Sequence, residues 1–142
     1  MKSKEFFYEI GKLIYQIDNC YEEYGKKSSV NSPNLLWILY ALNDGKMHTQ
    51  KSVCDEWQIP RSTANTIIKE LEEKGFVELN HLEGTRREKL IFLTDEGKKY
   101  AEKVLSNLYK KENKIFKEIK DPTKIIQDLQ GFLQKLEILG ED

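Results

Sequence analysis

The sequence predicts a mainly α-helical protein that carries one small β-hairpin. Three observations predict it. Apolar residues recur at steps of three and four over most of the 142 residues. Each proline (Pro33, Pro60 and Pro122) stands just before such a run, where a helix tolerates proline. From Phe76 to Leu93 the period shortens to alternation around a charged, glycine-containing turn.

The elements follow in chain order. Phe6, Ile10, Leu13, Ile14, Ile17, Tyr21 and Tyr24 make one stripe of a helix of about six turns, expected to end near Gly25. Ser32-Pro33 opens a second helix with Leu35, Leu36, Leu39 and Leu42 inside, and Gly45 is its expected stop. A short third helix starts at Thr49 and carries Val53, Cys54 and Trp57. After Gln58-Ile59-Pro60 a fourth helix places Ala64, Ile67, Ile68 and Leu71 on one face and stops at Gly75. Two helices separated by so few residues have helix-turn-helix spacing. The segments 76–82 and 89–93 read as the hairpin strands. Thr94-Asp95-Glu96 then caps a long helix to about Ile119, and Asp121-Pro122 starts a last one with Ile125, Ile126, Leu129, Phe132, Leu133 and Leu136. The result is a winged helix-turn-helix core, residues 32–94, between a helix over 1–31 and helices over 95–142.

The outer helices raise a problem of burial. A helix of about 24 residues is roughly 36 Å long, more than a core of this size covers. Their apolar stripes would form an unusually large wet patch in a monomer. Pairing with the same helices of a second chain removes it, so a homodimer with a helical dimerisation layer is expected.

Composition excludes other classes. No apolar run is long enough to span a membrane, and the first residues carry Glu5 and Glu9, unlike a secretory signal. Two cysteines, Cys20 and Cys54, are too few for a disulfide framework and suit a reducing cytoplasm. Lys and Arg total 23 against 24 Asp and Glu, a net charge of −1 that gives no basic footprint for a nucleic acid. The placement of the charges says more than their sum.

Opposite the apolar face of the fourth helix lie Ser62, Asn65, Thr66 and Lys69, with Arg61 and Thr63 flanking its N-terminal end. A helix face shaped only by solubility is usually Glu/Lys-rich, as the following turn is at Glu70, Glu72, Glu73 and Lys74. Short hydrogen-bonding side chains let a helix approach a major groove, and Asn pairs bidentately with adenine. The first turn also offers backbone N–H groups to a phosphate. The plainer alternative is that Ser62-Thr63 is only a capping sequence. Arg86 and Arg87 stand next to Gly84-Thr85 at the hairpin tip, where a protruding ribbon reaches a minor groove. The alternative there is a solvated hairpin with arginines paired to Glu83 or Glu88.

With these residues in view, the stretch from Pro60 to Val77 resembles the recognition helix and first wing strand of the MarR (multiple antibiotic resistance regulator) family. The stretch from Thr85 to Gly97 resembles its wing, second strand and Leu-Thr-x-x-Gly helix start, and the likeness extends to the flanking helices. The resemblance implies a dimeric winged-helix transcription factor, usually a repressor. It implies a pseudo-palindromic double-stranded DNA operator, with one recognition helix per major groove and a wing arginine in the minor groove. Two departures stand out. The family's wing reads Asp-x-Arg where this chain has Thr85-x-Arg87, so Arg86 is free to share the role. The family often has Arg where this chain has Thr66, which shifts base readout to Asn65 and Lys69.

The resemblance also implies a small aromatic or anionic effector held between the dimer helices and the winged core, for which Tyr15, Trp37 and Tyr40 are candidates beside ordinary core packing. Some relatives sense peroxide through a cysteine in the first helix. Cys20, near Tyr15, Tyr21 and Tyr24, is the candidate, with an inert helical thiol as the alternative. No cofactor, metal site or enzyme is expected. His48 and His81 read as isolated, no Cys/His cluster has ligand spacing, and no glycine-rich phosphate loop is present. The rival to DNA binding is a winged-helix module that binds protein. It calls for an apolar or acidic helix face, and Ser62, Asn65, Thr66 and Lys69 make neither.

Overall fold

A computed structural model describes residues 1–30, 32–81, 83–84 and 88–142. The elements run α1 (Ser3–Lys27), α2 (Pro33–Leu42), β1 (His48–Thr49), α3 (Gln50–Trp57), α4 (Arg61–Glu73), β2 (Val77–His81), β3 (Lys89–Leu93), α5 (Asp95–Glu118), α6 (Pro122–Leu136) and a closing 3₁₀ turn, Glu137–Gly140. The chain divides into two compact units, Met1–Ser106 and Asn107–Asp142.

In the first unit the predicted apolar stripes converge. Ile38, Ala41 and Leu42 of α2 meet Val53 and Cys54 of α3, Ala64, Ile67, Ile68 and Leu71 of α4, and Val77 and Ile91 of the sheet. Burying each large aliphatic side chain contributes about 1.5–3 kcal/mol. Val30, Leu36, Leu39, Ala101, Val104 and Leu105 are buried as well. The Tyr24 hydroxyl donates to the carbonyl of Val104 and so ties α1 to the first half of α5.

Helix ends depart from the sequence reading in instructive ways. α1 runs past Gly25, which is buried inside it, to Lys27; the left-handed residue is Ser29. α2 stops at Leu42, three residues before Gly45, because Asn43 closes the last turn on the Leu39 carbonyl. Gly45 takes its positive φ within the following loop. α4 does end at Gly75, in a Schellman arrangement: the Gly75 N–H donates to Glu72 and that of Phe76 to Leu71.

The sheet has order β1-β3-β2 and is antiparallel throughout. β2 and β3 form the predicted hairpin, in the register Val77↔Leu93, Leu79↔Ile91 and His81↔Lys89. β1 is an element the sequence reading lacks. Its two residues pair His48 with Ile91 and Thr49 with Leu90.

In the second unit Pro122 is the first residue of α6, and the Asp121 carboxylate caps it by accepting from the Lys124 N–H at 3.0 Å. α6 contains no buried residue; Ile125, Ile126, Leu129 and Leu133 are all exposed.

Candidate nucleic-acid interface

α3 and α4 are set by their connection. Thr49 and Ser52 cap α3 reciprocally: Ser52 N–H donates to Thr49 Oγ1 at 2.9 Å, and Thr49 N–H donates to Ser52 Oγ at 3.0 Å. The turn is Gln58-Ile59-Pro60. Gln58 adopts the left-handed conformation, and its side-chain amide donates back to the Asp55 carbonyl at 2.7 Å. Ile59 is buried and acts as the pin of the turn. Pro60 stands as the N-cap of α4, with no side-chain bond, so Arg61 and Ser62 begin the helix with free N–H groups of the kind an anion satisfies.

With Ala64, Ile67, Ile68 and Leu71 buried, Ser62, Asn65, Thr66 and Lys69 are exposed together on the other side of α4, and Arg61 with them. Thr63 is half-buried at the edge. Beside this face a groove of about 540 Å³ runs between α3, α4 and the hairpin, and Arg61, Asn65 and Lys69 line it. Gln50, Lys51 and Lys89 line it too, and none of them is a site residue in the sequence reading. Among the described residues neither Arg61 nor Lys69 joins an ion pair. Both cations are therefore available to phosphates or base edges. Thr66 donates its hydroxyl to the Ser62 carbonyl one turn back, at 3.0 Å. That leaves its methyl group and an acceptor lone pair for a ligand.

The hairpin is latched to the end of α4. Thr94 N–H donates to the Phe76 carbonyl at 3.0 Å, its hydroxyl donates to the Gly75 carbonyl at 2.6 Å, and that hydroxyl accepts from Gly97 N–H at 3.0 Å. Gly97 lies so close to Phe76 that a Cβ there would sit 1.8 Å from the carbonyl oxygen. Thr94 and Gly97 are thus the physical content of the Leu-Thr-x-x-Gly motif. They hold the α4–β2 corner against the start of α5, and Phe76 stacks on Tyr100 with ring centroids 4.5 Å apart. Thr85, Arg86 and Arg87 lie outside the described residues.

The comparisons with known proteins fit this geometry. Residues 32–88 match the model of the MarR family. The chain is 30% identical over 118 residues to YwoH of Bacillus subtilis (strain 168), an uncharacterized HTH-type transcriptional regulator, covering 79% of this chain and 85% of that protein. The chain belongs to the MarR family. Among solved structures it is similar to NMB1585, a MarR family regulator from Neisseria meningitidis, with 27% identity and a TM-score of 0.83 over 96% of this chain and 95% of that one. NadR, solved in complex with 4-hydroxyphenylacetate, shares the fold at 16% identity with a TM-score of 0.72 over 90% and 91% of the two chains. The α4 face described above therefore belongs to a MarR family transcriptional regulator, a mainly helical winged-helix protein with a small three-stranded sheet.

The remaining candidates of this MarR protein fall at separate places. Trp37 and Tyr40 come together: Trp37 stacks on Trp57 at 5.2 Å and meets the edge of Tyr40 at 5.9 Å, with Tyr21 tilted against it at 4.7 Å. Tyr15 is 78% exposed, in a shallow hollow lined by α1 residues alone. Cys20 is an exposed thiol on α1. Cys54 is buried beside the groove, and burial pushes its thiol up from the ordinary range, which disfavours the reactive thiolate. His48 is not isolated as the sequence reading had it. Its Nε2 lies 2.7 Å from Asp44 Oδ1. That hydrogen bond, followed by one from the Lys46 backbone N–H, holds the Asp44 carboxyl below its usual value. Among the described residues no group of His, Cys, Asp and Glu is placed to hold a metal ion, and no helix is long and apolar enough to cross a membrane.

Proposed function

We propose that this regulator is a homodimeric repressor that binds a pseudo-palindromic operator in double-stranded DNA and is released by a small aromatic or anionic effector. Arg61, Ser62, Thr63, Asn65, Thr66 and Lys69 read or clamp the major groove, while Arg86 and Arg87 serve the wing. The helices over 1–31 and 95–142 serve as the dimerisation layer, and residues 32–94 as the DNA-binding lobe. The observation that carries the DNA-binding part is the α4 face: short polar side chains flanked by two cations that join no ion pair among the described residues.

The homodimer rests on apolar faces that stay wet in the single chain. Leu13, Ile14 and Ile17 of α1 are half exposed or more, and so are Ile115, Phe116, Leu129 and Leu133 farther on. A face of this kind calls for a partner. A second copy of the same chain supplies identical stripes about a two-fold axis, and that axis matches a palindromic site. The effector rests on the half-buried Trp37–Tyr40–Trp57 cluster and on the 4-hydroxyphenylacetate bound by NadR. Such a ligand lowers DNA affinity to the extent that it prefers one spacing of the two lobes.

The test is selection of binding sites from random duplexes, combined with sedimentation. The expected outcome is enrichment of an inverted repeat, bound by a species of twice 16.7 kDa. No enrichment would remove the operator, and a stable monomer would remove the dimer.

A further inference from the structure

Asn65 has a partner that lies outside the recognition helix. Gln50, the first residue of α3, donates a hydrogen bond from Nε2 to Asn65 Oδ1. We infer that Gln50 is a positioning residue for base readout: it fixes which way round Asn65 presents its amide to the DNA. The inference rests on the DNA-binding reading above and adds to it a residue that determines specificity.

The chemistry begins with the two ends of an asparagine amide. One end only accepts and the other only donates, and a half-turn about the last bond exchanges them. Bidentate pairing with adenine needs both ends in one order, the oxygen facing the N6 amino group and the nitrogen facing N7. An exposed asparagine with no neighbour samples both orders, and the wrong one presents a donor to a donor. Gln50 couples that choice to its own: with its Nε2 turned to Asn65, the N–H is satisfied only when Oδ1 faces α3, and the opposite order requires both amides to turn over together. A carbonyl oxygen has two lone pairs, so one remains for a base, and both Asn65 N–H groups remain free to donate.

Gln50 stands beside Asn65 because the backbone that carries it is held. The reciprocal Thr49–Ser52 cap fixes the backbone on which it stands, and the pairing of Thr49 with Leu90 anchors that cap to the sheet. Both amides line the same groove as Arg61 and Lys69. The amide pair is thus formed before DNA arrives, and less ordering remains to be done on binding.

The experiment uses the full-length protein and the site selected by the wild type. Each base pair is changed in turn, and the pair whose discrimination disappears in Asn65→Ala is identified. Gln50→Met keeps the length and removes the amide; Gln50→Glu leaves only acceptors and rewards the opposite order. For Gln50→Met, discrimination at that base pair falls about two- to tenfold, the worth of one net hydrogen bond, while other positions keep theirs. In the Asn65→Ala background the same change has no further effect on discrimination. For Gln50→Glu, the preferred base at that position changes. A uniform loss of affinity on every sequence, or losses that simply add to those of Asn65→Ala, would overturn the inference and leave Gln50 an ordinary phosphate contact. A wild-type protein that selects no site would instead overturn the DNA-binding reading on which this one stands.

Discussion

Replacing Gly97 with alanine is the sharpest perturbation of the latch that holds the wing to α4. The new methyl carbon would lie 1.8 Å from the Phe76 carbonyl oxygen and 2.7 Å from its carbon. Both are backbone atoms, so no side-chain rotation relieves the clash; α5 and the α4–β2 corner must part by more than an ångström to reach ordinary contact. The same movement pulls on the Thr94 N–H bond to Phe76 and the Thr94 hydroxyl bond to Gly75. Overpacking of this kind costs about 1–3 kcal/mol, and a backbone partner left unsatisfied about 1–3 more. Alanine returns about 1 kcal/mol through its better helix propensity. The expected net loss is about 1–5 kcal/mol. Gly131 is the matched control. It is also helical, it lies on the side of α6 away from Ile125, Leu129, Phe132 and Leu136, and nothing stands within 4 Å of a Cβ there. Gly131→Ala should stabilise by about 0.5–1 kcal/mol. Urea unfolding at one protomer concentration, followed by circular dichroism and the fluorescence of Trp37 and Trp57, reads both changes. Midpoints that move in the same direction, or a Gly97→Ala protein as stable as the wild type, would refute the reasoning.

Further predictions concern the candidate interface and the loop after α2. Asn65→Ala should weaken specific binding by about 1–3 kcal/mol with little change on random DNA; titration against the selected operator measures it, and equal losses on both would take Asn65 out of base readout. Arg87→Ala should lower affinity on all sequences and reduce the slope of log K against log salt by about one; an unchanged slope would mean the wing makes no phosphate contact. Asp44, with its folded pKa held low by His48, contributes stability that is present above the ordinary value of 3.8 and is lost as pH falls through the lowered value. An NMR titration of its side-chain carbon should show a midpoint below 3.8, and His48→Ala should raise it. A midpoint at or above 3.8 in the wild type would contradict the hydrogen bond.

The cationic side of the interface explains how a chain of net charge −1 can serve as a DNA-binding regulator. Its lysine–carboxylate ion pairs, such as Lys26–Glu22 and Lys124–Asp128, are exposed neighbours on single helices and contribute little to stability. They neutralise one another locally, and among the described residues none of them takes up Arg61 or Lys69 beside the groove. Such a protein depends on a few placed cations and should release generic DNA readily at physiological salt.

Much of this was legible in the residue order, for a physical reason. A helix writes its buried face into the sequence at steps of three and four, and a paired strand writes its own at every second residue. Ala64, Ile67, Ile68 and Leu71 therefore announced both α4 and, by difference, the exposed set Ser62, Asn65, Thr66 and Lys69. The hairpin, the helix starts at Thr49, Pro60 and Asp121, and the stop at Gly75 are local in the same sense. What could not be read depends on partners far apart in the chain. β1 is two residues long and exists only because β3 passes beside it, some forty residues later. His48 looks solitary until the loop after α2 folds Asp44 back onto it. The Thr94–Gly97 motif can be recognised as a pattern, but only the packing shows that Gly97 is glycine because the Phe76 carbonyl occupies the place of its side chain. Gln50 carries no signal at all as a single polar residue at a helix start. It gains a role only when the turn at Gln58-Ile59-Pro60 brings α3 across α4 and sets its amide against Asn65. The sequence by itself determined the helices, the hairpin and the exposed polar face of α4, since these follow from local periodicity; tertiary structure alone decided which side chains orient one another, since that depends on distances no periodicity encodes.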